Sequence, residues 1–293
     1  MIYYLLLLVS ILLTTSKSCL YNAYAKKATP SSTGTFSFNA TAYGTAALIA
    51  LIVFLVSDEQ SLSTPTILCA IAYAVIVFSL QSISIFAMKE GAMSLTSICV
   101  MYGMVIPSIA GPIFWKETLG VLQIVGILLM IASLWLLKGK SNSEKTNLTK
   151  KWIILASVAF ILSGMAGLME KIHQSTDGRA EKNSFVLLAC LSMFIISIIT
   201  FISVKFKRHE KANLRPLAIF AAPSGLVIGL YSLVNLTLAG ALASMIYYPV
   251  ANGGAMLLTV VASLIIFKEP FDSHKLFGTI IGLLGIICLS LPI

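Results

Sequence analysis

The chain is written in long apolar runs separated by short polar joints. A hydrocarbon core of about 30 Å takes about 20 apolar residues of helix to cross. The pattern predicts ten such spans: Ile2–Ala25, Asn39–Val56, Pro65–Met88, Ala92–Trp115, Thr118–Leu137, Trp152–Ile172, Ser184–Phe206, Leu217–Leu238, Ala241–Phe267 and Ser273–Leu291. The runs are too long and too uniformly apolar for barrel strands. Helix is the expected form, because lipid offers no partner to free backbone groups. The expected fold class is therefore an all-α integral membrane protein. The joints leave no room for a soluble domain.

The longest polar joint, residues 138–151, divides the spans five and five. Landmarks repeat across it. Phe114-Trp115-Lys116-Glu117 closes the fourth span and Ile266-Phe267-Lys268-Glu269 closes the ninth, with Glu117 and Glu269 152 positions apart. At the same offset Gly126 matches Gly278 and Ala110 matches Ala262. The first spans of the two halves also correspond, with Ser18, Asn22 and Lys26 facing Ser163, Gly167 and Lys171. This predicts a first five-helix repeat over 1–137, a basic loop over 138–151 and a second repeat over 152–293. An odd number of spans per copy turns the second copy upside down in the membrane, a plan shared by many secondary transporters.

Ten spans, a five-plus-five duplication and a Lys-Glu pair closing spans four and nine resemble the drug/metabolite transporter superfamily, in its EamA-like branch. The stretch from Tyr247-Tyr248-Pro249-Val250-Ala251-Asn252-Gly253-Gly254 to Phe267-Lys268-Glu269 carries much of that likeness. The resemblance implies two inverted five-helix repeats, a central cavity between them and transport of a small metabolite or drug-like compound by alternating access. The alternative on the same fold is a lipid or carrier flippase, or a subunit of one.

Composition agrees with lipid as the main solvent: 58% of the 293 residues are hydrophobic, 11% are charged and mean hydropathy is +0.96. The net charge of +9 is carried in clusters between apolar runs, which reads as topogenic loops and not as a nucleic-acid surface. Loops after odd-numbered spans hold 15 Lys and Arg, against 4 on the other side. That bias places both termini outside, whereas members of the resembled family have both inside. The expected setting is a multi-pass protein of a bacterial plasma (inner) membrane, as monomer or homodimer. Its partners would be the bilayer and a small-molecule substrate, with no nucleic acid. Met1 to Leu13 lacks a basic n-region and a cleavage site, so it reads as a retained span. Cys19, Cys69, Cys99, Cys190 and Cys288 all fall in apolar runs with no CxxC pair, which gives neither a disulfide frame nor a metal site.

Candidate chemistry is sparse. Pro107 and Pro112 interrupt the fourth span, and Pro249 with Gly253 and Gly254 interrupts the ninth. Helix breaks at equivalent places in two repeats point to a midplane site; packing kinks are the plainer explanation. Lys17 is the one charge read as deep within a span, about 22 Å from its start at 1.5 Å per residue. It either attracts an anionic group such as a carboxylate or phosphate, or snorkels to the interface. Tyr231 with Asn235, and Tyr248 with Asn252, share helix faces at i,i+4. With Gln81 and Tyr102 they could line a small-molecule pocket, or simply bond neighbouring helices. Glu117 and Glu269 read as a structural turn common to both repeats. Gly225-xxx-Gly229 and Gly278-xxx-Gly282 read as internal packing faces. Asn39-Ala-Thr and Asn147-Leu-Thr match a glycosylation pattern that matters only in a glycosylating host. His173, His209 and His274 are all placed in loops, and no span offers a proton-transfer pair. The sequence therefore predicts no enzyme, no catalytic residue, no cofactor and no metal.

Overall fold

A computed structural model describes residues 2–28, 31–57, 61–90, 93–117, 120–137, 149–176, 181–208, 217–266 and 273–290. Among these residues the secondary structure is all helical. The elements are α1 (Ile2–Ala28), α2 (Ser32–Val56), α3 (Thr64–Glu90), α4 (Met93–Tyr102), α5 (Val105–Trp115), α6 (Val121–Leu137), α7 (Lys150–Ser175), α8 (Lys182–Arg208), α9 (Ala222–Ala241, entered through a π turn at Leu217–Ala221), α10 (Ser244–Ile266) and α11 (Ser273–Ser290). Seven segments are long and apolar enough to cross a membrane, on α1, α2, α3, α7, α8, α9 and α10. The remaining apolar segments are shorter: Cys99–Trp115, Val121–Ser133 and Leu276–Cys288.

Side chains sort by size and polarity in the sense expected of lipid as solvent. On α8, Ile195, Ile199, Ile202 and Phe206 are exposed along one stripe, while Cys190, Met193 and Ser197 are buried. On α2, Leu48, Ile52 and Leu55 face out, and Phe38, Ala42, Ala46 and Ala50 form a buried row at i,i+4 spacing. The small side chains in the buried row of α2 let backbones approach closely where apolar burial offers no driving force between helices. This is the fold of an α-helical, multi-pass membrane protein.

The chain forms two compact units, each drawing on both halves of the sequence. One comprises Met1–Thr15, Ile83–Leu168 and Ala241–Ile293; the other comprises Ser16–Ser82 and Met169–Gly240. In the first unit, Gly103 and Gly164 bring α7 against the α4–α5 joint. A Cβ on Gly103 would lie 2.6 Å from the Ser163 Cβ and 2.8 Å from the Gly164 backbone nitrogen. On α11, Gly285 sits over Met130 and the Gly126 carbonyl of α6, and Gly282 sits beside Ser133. In the second unit, Gly225 and Gly229 of α9 rest on α2, facing Ala42 with Thr45 and Ala46 with Ile49. Both GxxxG faces thus supply internal packing positions.

The interruptions differ from the expected pattern. The fourth span breaks at Gly103–Met104, just ahead of Pro107. Proline has no N–H to offer the Gly103 carbonyl four residues back, and Ile106 N takes that carbonyl instead at 3.0 Å. Gly103 N and Met104 N likewise bond three residues back. By contrast, α10 is continuous through Pro249 and Gly253. Gly253 serves as a contact position: a Cβ there would collide with Ile286 of α11. Asn39 lies inside α2 and is fully buried, so its sequence pattern presents no accessible acceptor. Asn147 lies outside the described residues.

Candidate functional site

A polar cluster occupies the second unit. Lys17 sits in the middle of α1, which runs on to Ala28; by helical rise it is about 22 Å from the first residue and about 16 Å from the last. Glu170 sits in the last third of α7 and is buried. Its Oε1 accepts the hydroxyl proton of Tyr73 at 2.8 Å, and its Oε2 accepts from Nδ2 of Asn235 at 2.6 Å. Tyr73 and Asn235 are buried too. On the same face of α9, one turn before Asn235, the Tyr231 ring carries the Lys17 ammonium 4.6 Å above its centroid. The Lys17 and Glu170 charges interact electrostatically. An intramembrane charge is costly and is tolerated where hydrogen bonds and an opposite charge offset it; Glu170 has two hydrogen bonds and interacts electrostatically with Lys17.

A second polar rung lies on the same two helices. Thr66 is two turns before Tyr73 on α3, and His173 is one turn after Glu170 on α7. Thr66 Oγ1 meets His173 Nε2 at 3.1 Å. Gln174 Nε2 donates to His173 Nδ1 at 3.0 Å, which leaves the ring proton on Nε2 to point at Thr66. Phe185 of α8 stacks on His173 at 4.2 Å and tilts against Tyr73 at 5.4 Å, closing the gap between the rungs. At the end of this chain, Glu181 Oε2 accepts from Ser63 Oγ at 2.6 Å and Ser63 N at 3.1 Å. Those hydrogen bonds, with one from Thr66, hold the Glu181 carboxyl below the usual glutamate range.

The expected site residues separate. Lys17, Tyr231 and Asn235 belong to one cluster: Asn235 bonds Glu170, and the Tyr231 ring lies under the Lys17 ammonium. Gln81, on α3 of the same unit, is half-buried. The others lie in the first unit. Tyr102 is buried and its hydroxyl pairs with Ser133 of α6. Tyr248 donates to the Gly167 carbonyl at 2.6 Å, and Gly167 also lies against Pro107. Asn252 turns back on its own helix, with Nδ2 donating to the Tyr248 carbonyl at 3.0 Å. Glu117 accepts from Ser244 N at 3.0 Å and Met245 N at 3.4 Å, placing a carboxylate on the open N–H groups that begin α10. Lys116, just before it, adopts a left-handed conformation that ends α5. Glu269 lies outside the described residues.

Two expectations are corrected. Lys17 is not alone within the spans, because α7 continues to Ser175 and leaves Glu170 inside it. The histidines are not all in loops: His173 is buried on α7 and His274 opens α11, while His209 lies outside the described residues. Sequence reasoning also missed Tyr73 and Thr66. The available signal was Lys17 itself, whose charge called for a partner, and Glu170 is the acidic residue of the sixth expected span.

The fold and cluster define a helical multi-pass membrane protein with ionisable side chains inside membrane-length helices. No protein-family profile and no curated protein matches the chain. Solved structures share its fold: 28 chains match it. One of them, described simply as the crystal structure of a protein, matches with a TM-score of 0.73 over 98% of this chain and 95% of its own, at 10% identity. At that identity the likeness establishes fold alone.

Proposed function

We propose that the protein is a secondary transporter of the EamA-like, drug/metabolite type. In this reading ten spans, arranged as two inverted five-helix repeats, move a small metabolite or drug-like compound by alternating access. The observation that carries the proposal is Glu170, a carboxylate within a membrane-length helix, tied to Tyr73 and Asn235 by hydrogen bonds and interacting electrostatically with Lys17. Ionisable groups at such depth are expensive to keep and mark substrate or ion pathways. A purely structural link between α3, α7 and α9 could be made with neutral amides at lower cost.

The test is counterflow in vesicles reconstituted with the full chain, run against a metabolite panel beside empty vesicles. Accumulation of at least one compound, lost in Glu170→Ala with the protein still monodisperse, is the expected result. The same vesicles carry a fluorescent lipid. Scrambling of that lipid without accumulation of any solute would overturn the transporter reading in favour of a flippase.

A further inference from the structure

We propose that Lys17 and Glu170 form a proton-linked anion site: a carboxylate or phosphate group binds at Lys17 only when Glu170 takes up a proton. The inference rests on the transporter reading and assigns its substrate class.

Lys17 is the cation, and its partners are unusual. It lies over the Tyr231 ring at 4.6 Å, and its ammonium meets no hydrogen-bond acceptor among the described residues. Its three N–H donors belong to a cluster in which the Glu170 oxygens each accept one hydrogen bond, from Tyr73 and from Asn235. Lys17 and Tyr231 are only half-buried, whereas Glu170, Tyr73 and Asn235 are buried. A ligand group held at this ammonium needs negative charge and acceptor oxygens.

One cation can balance one anion. With Glu170 ionised, Lys17 is already compensated, and an incoming anion meets a second negative charge in a medium of low dielectric. With Glu170 protonated, the Lys17 charge is free to hold the ligand. One proton from bulk water joins the Glu170 carboxylate and one negative charge enters, so the net charge of the site is unchanged. The groups around Glu170 are Lys17 from α1, Tyr73 from α3 and Asn235 from α9, with Tyr231 one turn before Asn235 and His173 one turn away on α7. Cys190 of α8 interacts electrostatically with Tyr73. Among these, Lys17 is the cation whose charge Glu170 balances.

Linkage makes the effect reciprocal: a ligand that requires a bound proton binds about tenfold more weakly for each pH unit above the titration of the carboxyl. The experiment titrates inorganic phosphate and acetate into the full chain, in detergent and in phosphatidylcholine vesicles, by calorimetry from pH 5 to 9. For acetate, which stays singly ionised over this range, expected are an affinity that falls about tenfold per pH unit over the upper range, loss of binding in Lys17→Met, retention in Lys17→Arg, and pH-independent binding in Glu170→Gln. Replacing part of the phosphatidylcholine with phosphatidylglycerol separates the sources. Competition with phosphate assigns a lipid headgroup, and its absence assigns a free anion.

Binding of neither probe at any pH would overturn the proposal. So would binding indifferent to Lys17→Met, or an acetate pH slope that survives Glu170→Gln; the last comparison holds even if Lys17→Met fails to fold. Counterflow of neutral or cationic compounds without any anion effect would remove this inference and leave the transporter reading intact. Anion binding with no counterflow of any compound would do the reverse.

Discussion

Tyr73 and Glu170, 97 positions apart in sequence, share a 2.8 Å hydrogen bond that joins α3 to α7 inside the second unit. The phenol donates to a carboxylate, so the bond is charge-assisted and belongs to the stronger class. Removing the donor leaves a buried carboxylate oxygen without a partner. Tyr73→Phe is expected to cost about 1.5–3 kcal/mol. In Glu170→Gln the same substitution should cost less, and a double-mutant cycle in chemical denaturation measures the difference.

Glu117 completes the start of α10. Glu117→Ala strips an acceptor from Ser244 N and Met245 N and should lower stability by about 0.5–2 kcal/mol. Glu117→Gln keeps an acceptor oxygen but loses the interaction of charge with the helix dipole, so its loss should be smaller. Gly111→Ala should resemble Glu117→Ala, because a Cβ at 111 would occupy the place of the Glu117 carboxylate. Thermal melting of the three variants tests the order.

The two glycines of the α9 face differ in what surrounds them. A Cβ on Gly225 would run into the Ala42 backbone carbonyl, which cannot yield, and would lie 2.6 Å from the Thr45 Cβ. A Cβ on Gly229 would lie 3.2 Å from Ile49 side-chain atoms and 3.3 Å from the Ala46 carbonyl, a gap that a few tenths of an ångström relieve. Gly225→Ala should cost about 1–3 kcal/mol, and Gly229→Ala clearly less. A larger loss at Gly229 would contradict this packing.

Glu181 sets a dependence on acidity. Its folded value lies below the ordinary one, so its contribution to stability is fully present above the unfolded value of about 4.3 and is lost as pH falls through the folded value. Ser63→Ala removes the leading cause of that depression. The variant should therefore show a shallower fall in stability below about pH 4.3 than the parent chain. Tryptophan fluorescence during acid unfolding provides the measurement, and parallel curves would count against it.

Much of the helical frame could be read from apolar run lengths, because a membrane helix must satisfy its own backbone and needs about 20 apolar residues to cross. The α4–α5 break was foreshadowed by Pro107, whose missing N–H falls on the Gly103 carbonyl. Pro249 shows the limit of that reasoning, since α10 continues through it despite the lost bond. Within the site, Lys17, Tyr231 and Asn235 were visible as a charge in an apolar run and an i,i+4 pair. Glu170 was obscured because the span was expected to end at Ile172, two residues further on, whereas α7 reaches Ser175. Tyr73 looked like any aromatic in an apolar run. Its role comes from a contact across 97 positions, and no local periodicity encodes such a contact.

The carboxylate that opens α10 is made 127 positions before the first amide it receives. At translation rates of about 5–20 residues per second, Glu117 leaves the ribosome roughly 6 to 25 seconds ahead of Ser244. The anchor is therefore already synthesised when α10 emerges, and the growing chain delivers this late helix to a waiting acceptor.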